Sequence, residues 1–313
     1  MSAHNHTYMI HTFEYKDTKW LDIENPTKED VDQMIEQFNI DRHTAHELVS
    51  PSRSPEVQFY KNYLYIVLHF PSFRGGKRTD SPVQEIDFVL TKEALITARF
   101  DHIDVIHHVG KQIETEAIVQ KGDMENTPSY IFFRLIRELY GALSKELQYI
   151  DTWTNDIESK IFKGHEREMV VTISHMSRTL IDLERTLAQH EDVLKTLKEY
   201  GTQIFGDYFK YHVQAVLDEH AKIRHMVRTH RDVVGELRET NNSLLSLKQN
   251  ETAKVIAVLA LIAVPMSLMV SIFQIETKTR PIIGLENDFW ILIGLTLLVG
   301  AAMFAFFKQK KWL

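Results

Sequence analysis

No cysteine occurs among the 313 residues, so disulfides, thiolate metal sites and cysteine nucleophiles are excluded together, and a reducing compartment suits the large N-terminal part. A basic surplus is missing as well. The formal net charge is −7, and the seven basic and four acidic side chains from Lys248 onward leave −10 on the residues before it. Such a surface repels phosphate backbones, which argues against nucleic acid and suits cationic partners. The opening Met-Ser-Ala-His-Asn-His lacks the basic-then-apolar pattern of a signal peptide, so targeting falls to the C-terminal helices. Neither a nucleophile with its base nor a pair of catalytic carboxylates can be made out, which speaks against an enzyme. A membrane-anchored enzyme would need a polar pocket in residues 8–127. No cofactor motif is present. The run Arg74-Gly75-Gly76-Lys77-Arg78 lacks the G-x-x-x-x-G-K-[ST] spacing of a phosphate loop and lies between two strand-like runs, where a hairpin turn is expected.

Two long apolar runs stand out against this background. Val255–Phe273 and Phe289–Phe307 are each 19 residues without a charge. Each just crosses a hydrocarbon core of roughly 30 Å, at about 1.5 Å per helical residue. Lys248 and Lys254 precede the first, Lys308, Lys310 and Lys311 follow the second, and only Lys278 and Arg280 lie between. Basic residues at membrane-helix ends stay inside, so both termini are expected in the cytoplasm and the loop Gln274–Asp288 outside. Pro265 removes a backbone donor in mid-span, where a kink or a locally opened helix is expected.

Before the membrane, Tyr8–Tyr15, Tyr63–Phe70, Glu85–Leu90 and Ala94–Phe100 are rich in β-branched and aromatic residues and read as strands. Pro26 to Asp30 reads as a helix start, with Asn25 or Thr27 as cap, followed by Val31, Met34, Ile35 and Phe38 at helical spacing. From Ser129 the pattern is helical, with no proline until Pro265, and Gly164 and Gly201–Gly206 divide it into helices of about 129–162, 166–199 and 207–273. The last would extend roughly 100 Å if continuous. Its seam, Val213, Val216, His220, Ile223, Val227, His230, Val234, Leu237, Asn241 and Leu244, alternates steps of three and four as in a coiled coil. A lone helix cannot bury such a stripe, so it must pack on its own hairpin, on copies of itself, or both.

The expected class is therefore an α+β membrane protein. Its parts are an N-terminal cytoplasmic α/β/α domain (1–128), a helical stalk (129–252), a first membrane helix (253–273), an outer loop (274–288), a second membrane helix (289–307) and a basic cytoplasmic tail (308–313). The seam continues into the membrane through Asn250, Ala253, Ala257, Ala260, Val264, Ser267 and Ser271 to Gln274. On periodicity alone, small residues at these steps indicate close helix packing.

Sixteen histidines invite a metal reading. His43, His46 and Glu47 share a helix face, and His102, His107 and His108 cluster, but no complete ligand set appears at a known spacing. His220 and His230 in the seam suggest a structural role or, alternatively, proton coupling to gating.

Several motifs resemble the CorA family of divalent-cation transporters. Trp20-Leu21-Asp22-Ile23-Glu24-Asn25-Pro26-Thr27 is similar to that family's W-I-D-L-x-N-P-T, and Pro55-Glu56-Val57-Gln58-Phe59-Tyr60 to its R-P-K-V-E-x-Y. Asn250-Glu251 with Lys254-Val255 is similar to the N-E-x-x-K-V that opens its pore helix, and Phe-Lys-Gln-Lys-Lys-Trp-Leu to its K-K-K-K-W-L ending. The resemblance implies a homopentamer in a bacterial-type inner membrane that carries a divalent cation (magnesium, cobalt or zinc) as transported ligand, with no cofactor. It also reverses the packing reading of the seam. Asn250 would form a polar ring at the cytoplasmic mouth, Ile256 and Val264 apolar gate rings, and Ser267 a mid-pore hydroxyl, with Ala260 and Ser271 on the same lining.

Two departures from the family pattern matter. Where it has Gly-Met-Asn at the outer end of the first span, this chain has Gln274-Ile275-Glu276. A ring of Glu276 would attract cations in general, whereas Glu276 paired with Lys278 or Arg280 would recognise nothing. The family's regulatory aspartate pair corresponds to Ser52 and to Tyr211 or Ala215, so this carboxylate pair is expected to be absent. The resemblance thus implies a divalent-cation channel of altered selectivity. The alternative is a CorA-shaped membrane scaffold or regulator that no longer transports magnesium selectively.

Overall fold

The computed structural model describes residues 9–15, 18–74, 77–119, 127–275, 282–284, 286–310 and 312. Six strands form one sheet: β1 (Met9–Tyr15), β2 (Thr18–Glu24), β3 (Glu56–Phe59), β4 (Tyr63–Arg74), β5 (Lys77–Thr91) and β6 (Ala94–Arg99). Their order is β1-β2-β6-β5-β4-β3, and every neighbouring pair is antiparallel except β2 and β6, which are parallel. The antiparallel ladder of β4 and β5 continues to Arg74↔Lys77, so the glycine-bearing run joins a hairpin and is no phosphate loop. Strands β2 and β3 coincide with stretches that the sequence reading used only as motifs. In β2 the inward residues include Thr18 and Asp22, so burial there does not follow hydrophobicity.

Helices α1 (Lys28–Phe38) and α2 (Arg42–Glu47) cover one sheet face, where Val31, Met34, Ala45 and Leu48 meet Tyr65, Val67, Val89 and Ile96. Thr27 caps α1. Its hydroxyl accepts from the Asp30 amide while the Asp30 carboxylate accepts from the Thr27 amide, a reciprocal capping box that satisfies two of the donors stranded at a helix start. Helix α3 (Asp104–Val119) follows β6, a helix that the sequence reading did not separate from its histidines. It lies so close to Phe13 that a Cβ at Gly110 would overlap the ring, which explains the glycine. Helix α4 (Pro128–Phe162) packs on the opposite side of the sheet, with Phe132 edge-on to Phe88. The result is the three-layer α/β/α arrangement.

Three further helices complete the soluble part: α5 (Glu166–Tyr200), the short α6 (Thr202–Phe205) and α7 (Asp207–Phe273), which is 67 residues long. Helix α8 (Asp288–Gln309) ends the chain. Two compact units can be distinguished, Met1–Gly164 with Glu168–Leu237, and His165–Arg167 with Arg238–Leu313.

In the first unit the seam of α7 is closed by the α4–α5 hairpin. Val213, Val216, His220, Ile223, Val227, His230 and Val234 are all buried. The Tyr140 ring lies 5.8 Å from that of His220, and His230 Nδ1 is 3.3 Å from Asp151. Arg231 and Arg228 of α7 both reach Glu184 of α5. In the second unit Asn241 donates to the Glu166 carbonyl at 3.1 Å, and Lys248 Nζ meets the Glu166 carboxylate at 2.7 Å.

One buried ion pair ties the first half of the sheet together. Arg99 of β6 reaches Asp22 of β2 at 3.0 Å, with side chains only 2% and 3% exposed. Asp22 also accepts from the Thr97 hydroxyl, which in turn accepts from the Trp20 indole. Arg99 also meets Glu24 at 2.9 Å, so removing Arg99 is the change that leaves a buried charge, that of Asp22, without a cation. Arg99→Met is therefore expected to cost about 3–5 kcal/mol of stability, and the double replacement Asp22→Leu with Arg99→Met to recover part of it. Thermal and denaturant unfolding of the full chain measure both.

Candidate ion pathway

The membrane part of α7 has two dissimilar faces. Val258 is fully buried, and Ile262, Pro265, Met266, Met269 and Phe273 are half-buried. These positions recur every three or four residues, so they form one stripe. Helix α8 packs there, and a Cβ added to its Gly300 would come 3.0 Å from Met266 Sδ. A small residue on α8 is what allows this approach. Helix α7 runs unbroken through Pro265, so the expected local opening is not seen, although proline leaves the Leu261 carbonyl without its usual i+4 donor.

The face turned away from α8 holds Ile256, Ala260, Val264, Ser267, Ser271 and Gln274, all exposed. Exposure reaches 61% at Ile256 and 64% at Val264. Asn250 at the stalk end of this segment and Ile275 at its far end are exposed too. Along this line the character changes from an amide, through apolar and small side chains, to two hydroxyls and a second amide. Ser271 donates to the Ser267 carbonyl at 2.9 Å, which keeps its hydroxyl on the helix and leaves an oxygen facing outward. Glu276, with Lys278 and Arg280, lies outside the described residues. Both apolar runs are almost wholly exposed in the single chain, as segments facing lipid or other chains must be.

The other candidate positions are dispersed. Ser52 contributes its backbone amide, which donates to both oxygens of Glu85 at 2.8 and 2.9 Å. Tyr211 is 73% exposed, and Ala215 is exposed on the same helix. No group of three or more metal-ligating side chains is assembled among the described residues. His43 instead lies beside Glu47, and His102 beside Glu24 and Asp104. The contacts of Glu166 with Asn241 and Lys248 were missed by sequence reading, because partners 75 and 82 residues away leave no local signal.

A model describing the CorA-like Mg2+ transporter protein family matches residues 15–309. The chain belongs to the CorA family. It is 24% identical over 296 residues to the cobalt/magnesium transport protein CorA of Thermotoga maritima, covering 94% of this chain and 83% of that protein. It is 20% identical to the protein of the same name from Methanocaldococcus jannaschii, covering 94% and 91%. The complete structure of the CorA magnesium transporter from Methanocaldococcus jannaschii superimposes with a TM-score of 0.82, at 18% identity, over 96% of this chain and 93% of that one. The full-length CmaX protein gives 0.70 at 15% identity, over 94% and 89%. The arrangement of a soluble α/β domain, a long helix and two C-terminal apolar helices is thus the CorA fold, and the chain is a CorA-like membrane transporter of divalent cations, not an enzyme.

Within this fold two stalk histidines, His190 and His220, are held by buried hydrogen bonds. His190 of α5 donates from Nε2 to the His69 carbonyl at 2.7 Å, which leaves Nδ1 to accept from the Tyr140 hydroxyl at 3.0 Å. His220 donates from Nε2 to the Leu187 carbonyl at 2.7 Å. Burial pushes His190 down to about 3 and lowers His220 as well, so both stay neutral at physiological pH. A neutral histidine in the fold and an ordinary one in the unfolded chain give stability that is complete above about 6.5 and lost as pH falls towards about 3. His190 alone then accounts for a loss of up to about 1.4 kcal/mol per pH unit. His190→Gln is expected to lower stability at pH 7 and to flatten the profile between pH 6.5 and 4, as read by denaturant unfolding across that range.

Proposed function

We propose that the chain forms a homopentamer in an inner membrane, with both termini cytoplasmic, and passes hydrated divalent cations inward with altered selectivity. Asn250, Ile256, Ala260, Val264, Ser267, Ser271, Gln274, Ile275 and Glu276 line the path. The observation that carries this reading is the exposed α7 face opposite α8, which is polar at both ends and apolar or small between them. Fivefold symmetry turns each position into a ring. Magnesium and cobalt are named for the Thermotoga maritima and Methanocaldococcus jannaschii relatives, and zinc belongs with them as a third cargo to be tested.

Magnesium surrenders its water reluctantly, so a selective mouth reads the hydrated ion through neutral oxygens that accept from those waters. Gln274 supplies such an oxygen. A ring of Glu276 adds negative field, which concentrates cations without choosing among them. Farther in, rings of Ile256 and Val264 close the path when they dewet and open it when they separate.

Flux into liposomes holding the purified protein tests this, with magnesium, cobalt, nickel and zinc compared. The wild type is expected to carry more than one of these ions. Glu276→Lys should slow all of them by about tenfold or more, because it reverses the field at the mouth. Glu276→Gln should reduce flux less and sharpen selectivity, and Val264→Ser should raise basal leak. Vesicles that take up none of the ions would leave the scaffold reading, and two Glu276 variants indistinguishable from wild type would remove the glutamate ring.

A further inference from the structure

Among the described residues, Asp87 of β5 is a carboxyl whose surroundings do not suit an anion. It is 1% exposed, in the middle strand register opposite Val67 of β4 and Ala98 of β6. Its Oδ2 accepts from the Tyr65 hydroxyl at 3.0 Å. Its Oδ1 is buried, and no donor among the described residues reaches it. The Glu85 carboxyl, two residues earlier on the same face of the same strand, lies within hydrogen-bonding reach. Glu85 is already engaged on its other side. It accepts from the Ser52 amide through both oxygens and from His69 Nε2 at 3.0 Å, with its side chain 9% exposed.

The groups facing Asp87 come from four elements. Strand β4 supplies Tyr65 and His69, β5 supplies Glu85, and the end of α2 supplies Glu47, itself bonded weakly by Gln58 and paired with His43. The segment after α2 supplies Ser52, and β6 presents Ala98, which carries no charge. Three carboxyl groups therefore meet here, with His69 on Glu85 and the exposed His43 on Glu47 as the neighbouring imidazoles. An ionised Asp87 would hold a bare oxygen in a dry site beside the negative charge of Glu85, which is costly twice over. A neutral Asp87 that donates to Glu85 removes one of the two facing charges and joins the groups through one hydrogen. Burial, and after it the charge of Glu85, holds the Asp87 carboxyl well above the usual carboxylate range, in agreement with this geometry.

We propose that Asp87 and Glu85 share a single proton, and that this proton latches the segment around Ser52 onto strand β5. When the proton leaves, two adjacent carboxylates repel each other. Glu85, at the edge of the site, swings towards solvent and releases the Ser52 amide. The cytoplasmic domain thereby acquires a pH-responsive element directly after α2. The chemistry uses no metal and no partner, only a buried acid whose proton has one acceptor.

Hydrogen exchange of the full chain in lipid nanodiscs, followed by mass spectrometry over residues 48–56 at several pH values, reads the latch. Opening exposes an ordinary acid, so the protection factor at the Ser52 amide should fall as pH rises, by up to about tenfold per pH unit below the closed-state titration. Asp87→Asn puts a permanent donor opposite Glu85 and should hold protection flat with pH. Glu85→Gln donates in the opposite direction, to an ionised Asp87, and should also be flat, so either variant suffices if the other fails to fold. Infrared difference spectra between wild type and Asp87→Asn at neutral pH should contain the band of a protonated carboxyl. An unaltered pH slope in the variants, or no such band, overturns the proposal.

Discussion

The steps of three and four along α7 constrain everything else in this protein. A helix of 67 residues with one apolar stripe is stable in water only where that stripe is covered, and in lipid only where its polar groups are turned elsewhere. The α4–α5 hairpin meets the first demand as far as Val234, with Asn241 and Lys248 held at Glu166 beyond it. From Val258 onward α8 covers one side of α7 and leaves the other side bare. The stalk seam's alternation of three and four continues in the same phase through Val258, Ile262, Pro265 and Met269, the stripe that α8 covers, and the bare face lies opposite it on the helix.

Polar residues placed in such a seam must find partners of fixed geometry, and here they use main-chain carbonyls. His220 donates to Leu187, His190 to His69, and Asn241 to Glu166. A carbonyl on a neighbouring element sits at one height along the helix, so the bonds of His220 and Asn241 each reject a slip of α7 by one turn, which an all-apolar seam would tolerate, while that of His190 ties α5 to β4. The same bonds fix the histidine tautomers and leave the rings uncharged. Specific register and loss of titration near neutral pH thus follow from one arrangement.

The helices, the seam and the two apolar runs were legible in the sequence because a period of three and a half residues is a strong signal over many turns. The strands were legible only where β-branched residues run together, as in Tyr63–Phe70. Strand β2 was hidden by Asp22, whose burial depends on Arg99, a residue 77 positions later. The Glu85–Asp87 site was hidden by the alternation rule itself. Polar residues at every second position of a strand read as a solvated face, and here that face lies under the chain that follows α2. At the candidate path, the sequence located the α7 face through its small residues, and the family resemblance supplied its role. Exposure on the side away from α8 is independent of both.

Along the proposed path, the wall and the outer end are constrained differently. The proposed wall of the path shares α7 with the stripe that α8 covers, so the helix packing on that opposite side fixes which residues remain on the bare face. Its outer end is under no such restriction. Beyond Phe273 the helix stops, and Gln274 and Ile275 pack against nothing on α8 that would dictate their side chains. In the proposed mouth, an amide followed by a carboxylate changes what is offered to a hydrated ion. Neutral acceptors discriminate by geometry, and a carboxylate ring by charge. In the proposed reading this chain keeps the stalk seam and the α7–α8 contact, while its choice of ion rests with Gln274-Ile275-Glu276 past the end of that contact.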